Sequence, residues 1–229
     1  MIIYFLVVSF LGLLVSLLRP FNPDNTRICA RMFAWGGLKL LGIRITHEGL
    51  EHLADHKSMV VIANHQTNID LFVHGSVIPH RTVTIGKKNL KFLPLFGQVY
   101  WLAGNIMIDR ANHAAAVESM SEITEELIKN DISIWFFPEG TRNKGAGLLP
   151  FKKGAFYMAI QAGVPIVPIC ASSYQNNLNF NRLFAGDVIV NVLPPITTEG
   201  MTRKDVPALV ERARSQMQEC ISSLDARVD

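Results

Sequence analysis

From residue 43 onward the chain alternates short β-branched apolar runs with amphipathic ones. IRITH (43–47), MVVIA (59–63), RTVTIG (81–86), NIMID (105–109), ISIWFF (132–137), IVPICAS (166–172) and VIVNVL (188–193) predict strands. Several are apolar at consecutive positions, as in a sheet covered by helices on both faces. Helical spacing predicts helices over 113–129, with Val117, Met120 and Leu127 inward, and over 153–163. A last helix over 203–224 repeats Val206, Leu209, Val210, Ala213, Met217, Cys220, Ile221 and Leu224 on one side, with Arg and Glu opposite. This is an α/β pattern without an internal repeat or a long linker.

The first 42 residues follow a different pattern. MIIYFLVVSFLGLLVSLL (1–18) carries no charge, and as a helix it would reach roughly 27 Å, close to the ~30 Å of a bilayer core. It lacks the basic start and small-residue cleavage site of a signal peptide, so it predicts a retained membrane segment. A full span and a helix lying in one leaflet both fit that length. After a turn at 22–25, which follows Pro20, Arg27, Arg31 and Lys39 share a helical stripe with Trp35. Ile28, Met32, Phe33, Leu40 and Leu41 lie beside it. A basic stripe on an apolar helix suits an anionic headgroup boundary and is costly in mid-bilayer. A second spanning helix and a core helix are the competing readings. Arg19, Arg27 and Arg31 put the flank after residue 18 on the cytoplasmic side. The chain thus divides into membrane-associated N-terminal helices (1–42) and an α/β domain (43–229).

Hydrophobic residues make up 49% of the 229, an excess that the N-terminus explains, and the net charge of +3 is too small for a nucleic-acid partner. The basic residues are local: Arg81, Lys87, Lys88 and Lys91, then Arg142, Lys144, Lys152 and Lys153, each run unbroken by acids. Together they suit a phosphorylated ligand; alone, either would read as a solvated face. Cys29, Cys170 and Cys220 have neither zinc spacing nor an even disulfide count, so no metal is implied. His47 and His52 miss the zinc-protease spacing by one residue. Gly140 and Gly145 have phosphate-loop spacing without the Lys-Ser/Thr that must follow, and no G-x-S-x-G elbow occurs.

What remains is a set of polar strand exits. MVVIA ends in Asn64-His65, with Asp70 five residues on. On one helix these two would lie about 140° apart. If His65 ends the strand and a helix starts near residue 67, Asp70 can turn back and fix the imidazole tautomer, leaving a general base. The alternative is a plain strand end in which Asn64 and Thr67 cap the helix. WFFPEGTR (135–142) offers Glu139, Gly140, Thr141 and Arg142: Gly140 as a candidate N–H donor to an oxyanion, Arg142 as a phosphate grip, or simply a turn. GNIMIDR (104–110) ends in Arg110, either a ligand cation or a surface partner of Asp109.

These blocks, with VPIVPI (164–169), resemble in order the four motifs of the glycerolipid acyltransferase family. Thr84–Lys88, PLFGQVYWLAGNIMIDR (94–110) and GLLPFKKGAF (147–156) resemble its lysophosphatidic-acid branch in bacteria. The resemblance covers most of the chain. It implies an α/β fold with a mixed β-sheet covered by helices, and an N-terminal two-helix motif lying in one leaflet. The implied reaction moves a fatty acyl group from coenzyme A or acyl carrier protein to the sn-2 hydroxyl of lysophosphatidic acid. No cofactor is needed beyond that acyl-CoA or acyl-carrier co-substrate. By resemblance His65 is the base and Asp70 its orienting partner. Lys87 or Lys88, Arg110 and Arg142 hold phosphate, while Glu139, Gly140 and Thr141 position the acceptor. The hydroxyl attacks the thioester directly, in keeping with a chain that offers no nucleophile elbow. The implied location is the inner (cytoplasmic) membrane surface, with the catalytic domain facing the cytoplasm. Rival readings are an acyltransferase for another lysophospholipid or for glycerol-3-phosphate, and a non-catalytic lysolipid-binding membrane protein.

Overall fold

The structure, a computed structural model, describes residues 1–54, 58–108, 123–125, 129–175 and 177–228. Seven strands appear where the apolar runs predict them: β1 (Ile43–Glu48), β2 (Val60–Ala63), β3 (Thr82–Lys87), β4 (Ile106–Ile108), β5 (Ser133–Phe136), β6 (Ile166–Ala171) and β7 (Gly186–Val192). The helices are α1 (Ile2–Leu18), α2 (Asp24–Leu40), α3 (Asp70–Val73), α4 (Phe96–Leu102), α5 (Gly154–Ala162) and α6 (Val206–Asp225). Most of the helix expected over 113–129 lies outside the described residues.

The strands form one mixed sheet in the order β1-β7-β6-β2-β5-β3-β4. β2 runs parallel to both β5 and β6, and β3 runs parallel to β5 and β4. β7 is antiparallel to β6 and carries β1 parallel to itself at the edge. Five strands therefore end on one side of the sheet, the usual place for a ligand in an open α/β fold. The consecutive apolar positions follow from double coverage. Val61, Ala63, Trp135, Val167 and Ile169 pack in one cluster with Phe33 of α2. Val60, Ile62, Ile134, Ile166 and Cys170 pack in the other with Phe156 of α5 and Met217 of α6.

Helix α6 buries Val206, Leu209, Ala213, Met217, Ile221 and Leu224, the stripe its spacing predicts, while Val210 and Cys220 are half-buried. Just before it, Thr202 and Asp205 close a reciprocal capping box. At the other end of the chain, α1 buries Val8, Ser9, Gly12 and Ser16. Its opposite face is apolar and exposed, with Ile3 at 79% and Phe10 at 52%. No helix among the described residues is long and apolar enough to cross a membrane.

Helix α2 joins two of the readings that the sequence leaves open. Cys29, Ala30, Phe33, Ala34 and Leu38 are buried, so the helix belongs to the core. Arg31, Trp35 and Lys39 face outward, with the Lys39 ammonium 4.2 Å from the centre of the Trp35 ring. The two N-terminal helices are pinned together by Tyr4, whose hydroxyl donates to the Met32 carbonyl (2.6 Å) and accepts from the Gly36 N–H (3.1 Å). A side chain at Gly36 would run into the Tyr4 ring.

Candidate active site

Beyond Ala63 the chain leaves β2 through Asn64, His65 and Gln66, and side chains take over the pairing with β6. The Asn64 amide donates to the Ala171 carbonyl and accepts from the Ala171 N–H, both at 2.9 Å. Gln66 donates to the Ser172 carbonyl (2.8 Å) and accepts from the Tyr174 N–H (3.0 Å). Alternate residues are thus stitched towards β6, which leaves His65 on the β5 side. There its ring stacks on Phe137, centroids 4.0 Å apart. Its backbone N–H donates to Glu139 Oε1 at 2.6 Å.

Asp70 opens α3 and turns back as the spacing predicts. Its Oδ2 accepts from His65 Nδ1 and from the Gln66 N–H (2.9 Å). Its Oδ1 accepts from the Thr67 N–H (3.1 Å) and the Tyr174 hydroxyl. The capping alternative is thereby answered: Asn64 is committed to β6, and Thr67 Oγ1 closes only a local turn with the Ile69 N–H (3.1 Å). With an ionised acceptor on one side, His65 carries its proton on Nδ1 and leaves Nε2 as a lone-pair site. Among the described residues nothing hydrogen-bonds to that nitrogen. The side chain is 18% exposed, against 4% for Asp70.

The electrostatics favour a charged carboxylate at Asp70. Burial pushes Asp70 up, but the His65 hydrogen bond, the nearby His74 and the Tyr174 hydroxyl outweigh it and hold the carboxyl below its usual range. His74, fully enclosed, is pushed down by burial and kept neutral; its Nε2–H donates to the Asn64 carbonyl at 2.9 Å. Burial, then the Asp70 charge, raises Tyr174 well above its ordinary value, so the phenol keeps its proton.

The Pro-Glu-Gly-Thr-Arg turn behaves differently from the sequence expectation. Glu139 is buried and gives one oxygen to the His65 N–H and the other to the Leu149 N–H (3.0 Å). Burial pushes its carboxyl up. It holds the histidine backbone and ties it to the loop at Leu149. The Gly140 N–H does not suit an oxyanion, because it donates to the Phe137 carbonyl at 3.0 Å. Gly140 is needed for another reason: its φ is +70°, and a Cβ there would meet Lys152 Cε at 2.7 Å. Thr141 and Arg142 are exposed. The next two residues fold back on the histidine, Asn143 N–H to the His65 carbonyl (2.8 Å) and Lys144 N–H to the Gln66 carbonyl (3.2 Å).

Lys87 closes β3 and Lys88 follows it, both exposed at the same end of the sheet. β3 pairs with β4, Lys87 opposite Ile108; Arg110 lies outside the described residues. Tyr174 and His74 escape a sequence reading because Tyr174 is 104 residues from Asp70 and a lone histidine on an apolar helix carries no signal. Lys152 stands out in sequence only as one of a basic run. Among the described residues no group of three His, Cys, Asp or Glu side chains could hold a metal ion. The arrangement is an oriented imidazole that can take a proton from a hydroxyl, beside exposed cations suited to a phosphate.

Comparison with known proteins bears on which hydroxyl. A family model described as "Acyltransferase" matches residues 44–172. The chain is 42% identical to the 1-acyl-sn-glycerol-3-phosphate acyltransferase of Escherichia coli (strain K12) over 228 residues, 99% of this chain and 92% of that protein. It is 42% identical to the human 1-acyl-sn-glycerol-3-phosphate acyltransferase alpha over 216 residues, 93% of this chain and 76% of that one. A crystal structure of the 1-acyl-sn-glycerophosphate (LPA) acyltransferase PlsC from Thermotoga maritima matches with a TM-score of 0.77. That match covers 99% of this chain and 95% of the other at 21% identity, a likeness of fold.

Proposed function

The chain belongs to the acyltransferase family, and from that premise we propose that it acylates the sn-2 hydroxyl of lysophosphatidic acid to give phosphatidic acid. The observation that carries the mechanism is the His65–Asp70 pair at the strand ends, with Nδ1 tied down and Nε2 open. The donor is a fatty acyl thioester of coenzyme A or acyl carrier protein. His65 Nε2 takes the acceptor's hydroxyl proton as its oxygen attacks the thioester carbonyl. Collapse of the tetrahedral intermediate breaks the C–S bond, and the imidazolium returns the proton to the departing thiolate. Asp70 holds the tautomer and stabilises the transient imidazolium.

Arg142, Lys87 and Lys88 grip the acceptor's phosphate at the rim, with Arg110 joining them by its sequence position and Thr141 lining the same turn. Glu139 serves the reaction through the backbone of His65. The exposed apolar face of α1 rests in one leaflet, and the Arg31–Trp35–Lys39 stripe lies at anionic headgroups on the cytoplasmic side of the inner membrane. A site at that interface spares the acyl chains from water, at about 0.8 kcal/mol per methylene.

The test is thiol release from oleoyl-coenzyme A, with and without lysophosphatidic acid, beside His65→Ala. Acceptor-dependent release that yields phosphatidic acid and vanishes in the variant supports the reaction and its base. Release without acceptor means a thioesterase. Release with glycerol-3-phosphate or another lysophospholipid alone would replace the acceptor. A folded protein inactive with both donors and all these acceptors would favour a lysolipid-binding role.

A further inference from the structure

We propose that Tyr174 is a positioning residue for acyl transfer: its hydroxyl fixes Oδ1 of Asp70, and thereby holds Oδ2 of the same carboxylate on His65 Nδ1. The proposal rests on the reading of His65 as the base. A carboxylate has about four acceptor positions, and those of Asp70 are occupied by His65 Nδ1, the Gln66 N–H, the Thr67 N–H and Tyr174. Three of these donors come from the six-residue turn, 65–70, that contains Asp70 itself. Among the described residues Tyr174 is the one donor from another element, the exit of β6.

The tyrosine is well placed to act as a fixed post. Its side chain is 1% exposed, and its own N–H is held by Gln66 at 3.0 Å. Gln66 and Asn64 tie the same β6 exit to the residues on either side of His65. The base and its partner are thus referenced to the β6 strand end as well as to their own turn. Because burial and the Asp70 charge keep the phenol protonated, it acts only as a donor towards the carboxylate.

Removing that donor leaves Oδ1 with the Thr67 N–H alone, and the carboxylate loses its anchor outside its own turn, so its orientation towards the imidazole is held less firmly. It also becomes more basic, so it holds a proton on the pair more firmly. The ionisable groups facing this carboxylate are His65 from the β2 exit, His74 from the turn after α3, Tyr174 from the β6 exit and Glu139 from the β5 exit.

The experiment compares full-length enzyme, Tyr174→Phe and His65→Ala in detergent, measuring kcat, KM for lysophosphatidic acid, the pH profile of kcat/KM and thermal melting. The phenyl ring keeps the packing, so Tyr174→Phe folds. The expected result is a kcat about tenfold lower, the scale of one hydrogen bond to a charged group, with KM unchanged within about twofold. The acid limb of kcat/KM moves up by roughly half a pH unit. A wild-type kcat and acid limb would overturn the proposal. So would a lower kcat that tracks a lower melting temperature with the acid limb in place, since that marks a packing role. Activity surviving in His65→Ala would instead remove the base reading on which the proposal stands.

Discussion

Asp70→Asn removes a single charge and scarcely changes shape, and the hydrogen-bond pattern says what it does. Asp70 is an acceptor on both oxygens: His65 and the Gln66 N–H on one, the Thr67 N–H and the Tyr174 hydroxyl on the other. Asparagine keeps one acceptor and replaces the other with two donors. If its NH₂ faces His65, it opposes both Nδ1–H and a backbone N–H, and the imidazole is driven to the other tautomer. If its NH₂ faces Tyr174, the hydroxyl can rotate to accept, but the Thr67 N–H loses its partner. Either way one buried backbone donor is orphaned, at about 1–3 kcal/mol. For a chain of this length that lowers the melting temperature by roughly 2–12 °C. The rate loss should be far larger than the stability loss, on the order of 10⁴, through the wrong tautomer in the first orientation and through an imidazolium left without its counter-charge in the second. Thiol release with lysophosphatidic acid and a thermal melt on the same preparation separate the two. Retention of more than about a tenth of the wild-type rate by a folded Asp70→Asn protein would refute the reasoning, whatever the melting temperature.

Arg142→Ala should raise KM for lysophosphatidic acid with little change in kcat if the guanidinium grips phosphate in ground and transition states alike; a fall in kcat alone would assign it to the transition state. His74 sets a pH dependence of stability: its folded-state pKa lies below its ordinary value of 6.5, so only the unfolded chain gains this proton as pH drops below that value. Stability then declines from about pH 6.5 downward to the folded-state pKa, and His74→Gln should flatten that part of the curve in urea midpoints at pH 7.5 and 5.5; an unchanged slope would exonerate His74.

How much of this the sequence reveals depends on the range of the interaction involved. β2, β5 and β6 are legible because double coverage makes consecutive positions apolar, as in the wholly buried VVIA and IVPICA. The His65–Asp70 pair is legible because a turn of six residues leaves few ways to close. Glu139 marks where local reasoning stops. Its place in a motif suggests contact with substrate, and the structure adds a role the motif does not show: each of its oxygens accepts from an amide, at 65 and 149, that only the fold brings together. The Gly140 amide fails as an oxyanion donor for a local reason that the residue types do not encode: the turn carries it back onto Phe137. Tyr174 is invisible in the same way as Glu139, because its partner lies 104 residues earlier and no periodicity links them.

The largest shift in the picture concerns the first 42 residues, which read in sequence as a membrane appendage. α3, which begins with Asp70, rests on α2: a Cβ at Gly37 would collide with the Phe72 ring, and one at Gly75 would lie 2.8 Å from the Ala30 carbonyl. α2 also buries Ala30, Phe33, Ala34 and Leu38 against the sheet face that carries Val61 and Ala63. At about 1.5–3 kcal/mol for each large buried side chain, losing this helix removes on the order of 5 kcal/mol or more. A domain is typically stable by only about 5–15 kcal/mol. A chain reduced to residues 43–229 should therefore show no cooperative melt and no transfer, even to a short-chain lysophosphatidic acid that dissolves as a monomer. Replacing Ile3, Phe10 and Leu17 by serine on the exposed face of α1 should do the opposite, sparing turnover of that monomeric acceptor while weakening binding to anionic vesicles. If the shortened chain melts cooperatively and keeps more than about a tenth of the rate, α2 is an anchor and nothing more. If it fails while the serine variant works, membrane contact and catalysis divide between the two faces of one helical hairpin, with α2 supporting the carboxylate that orients the base.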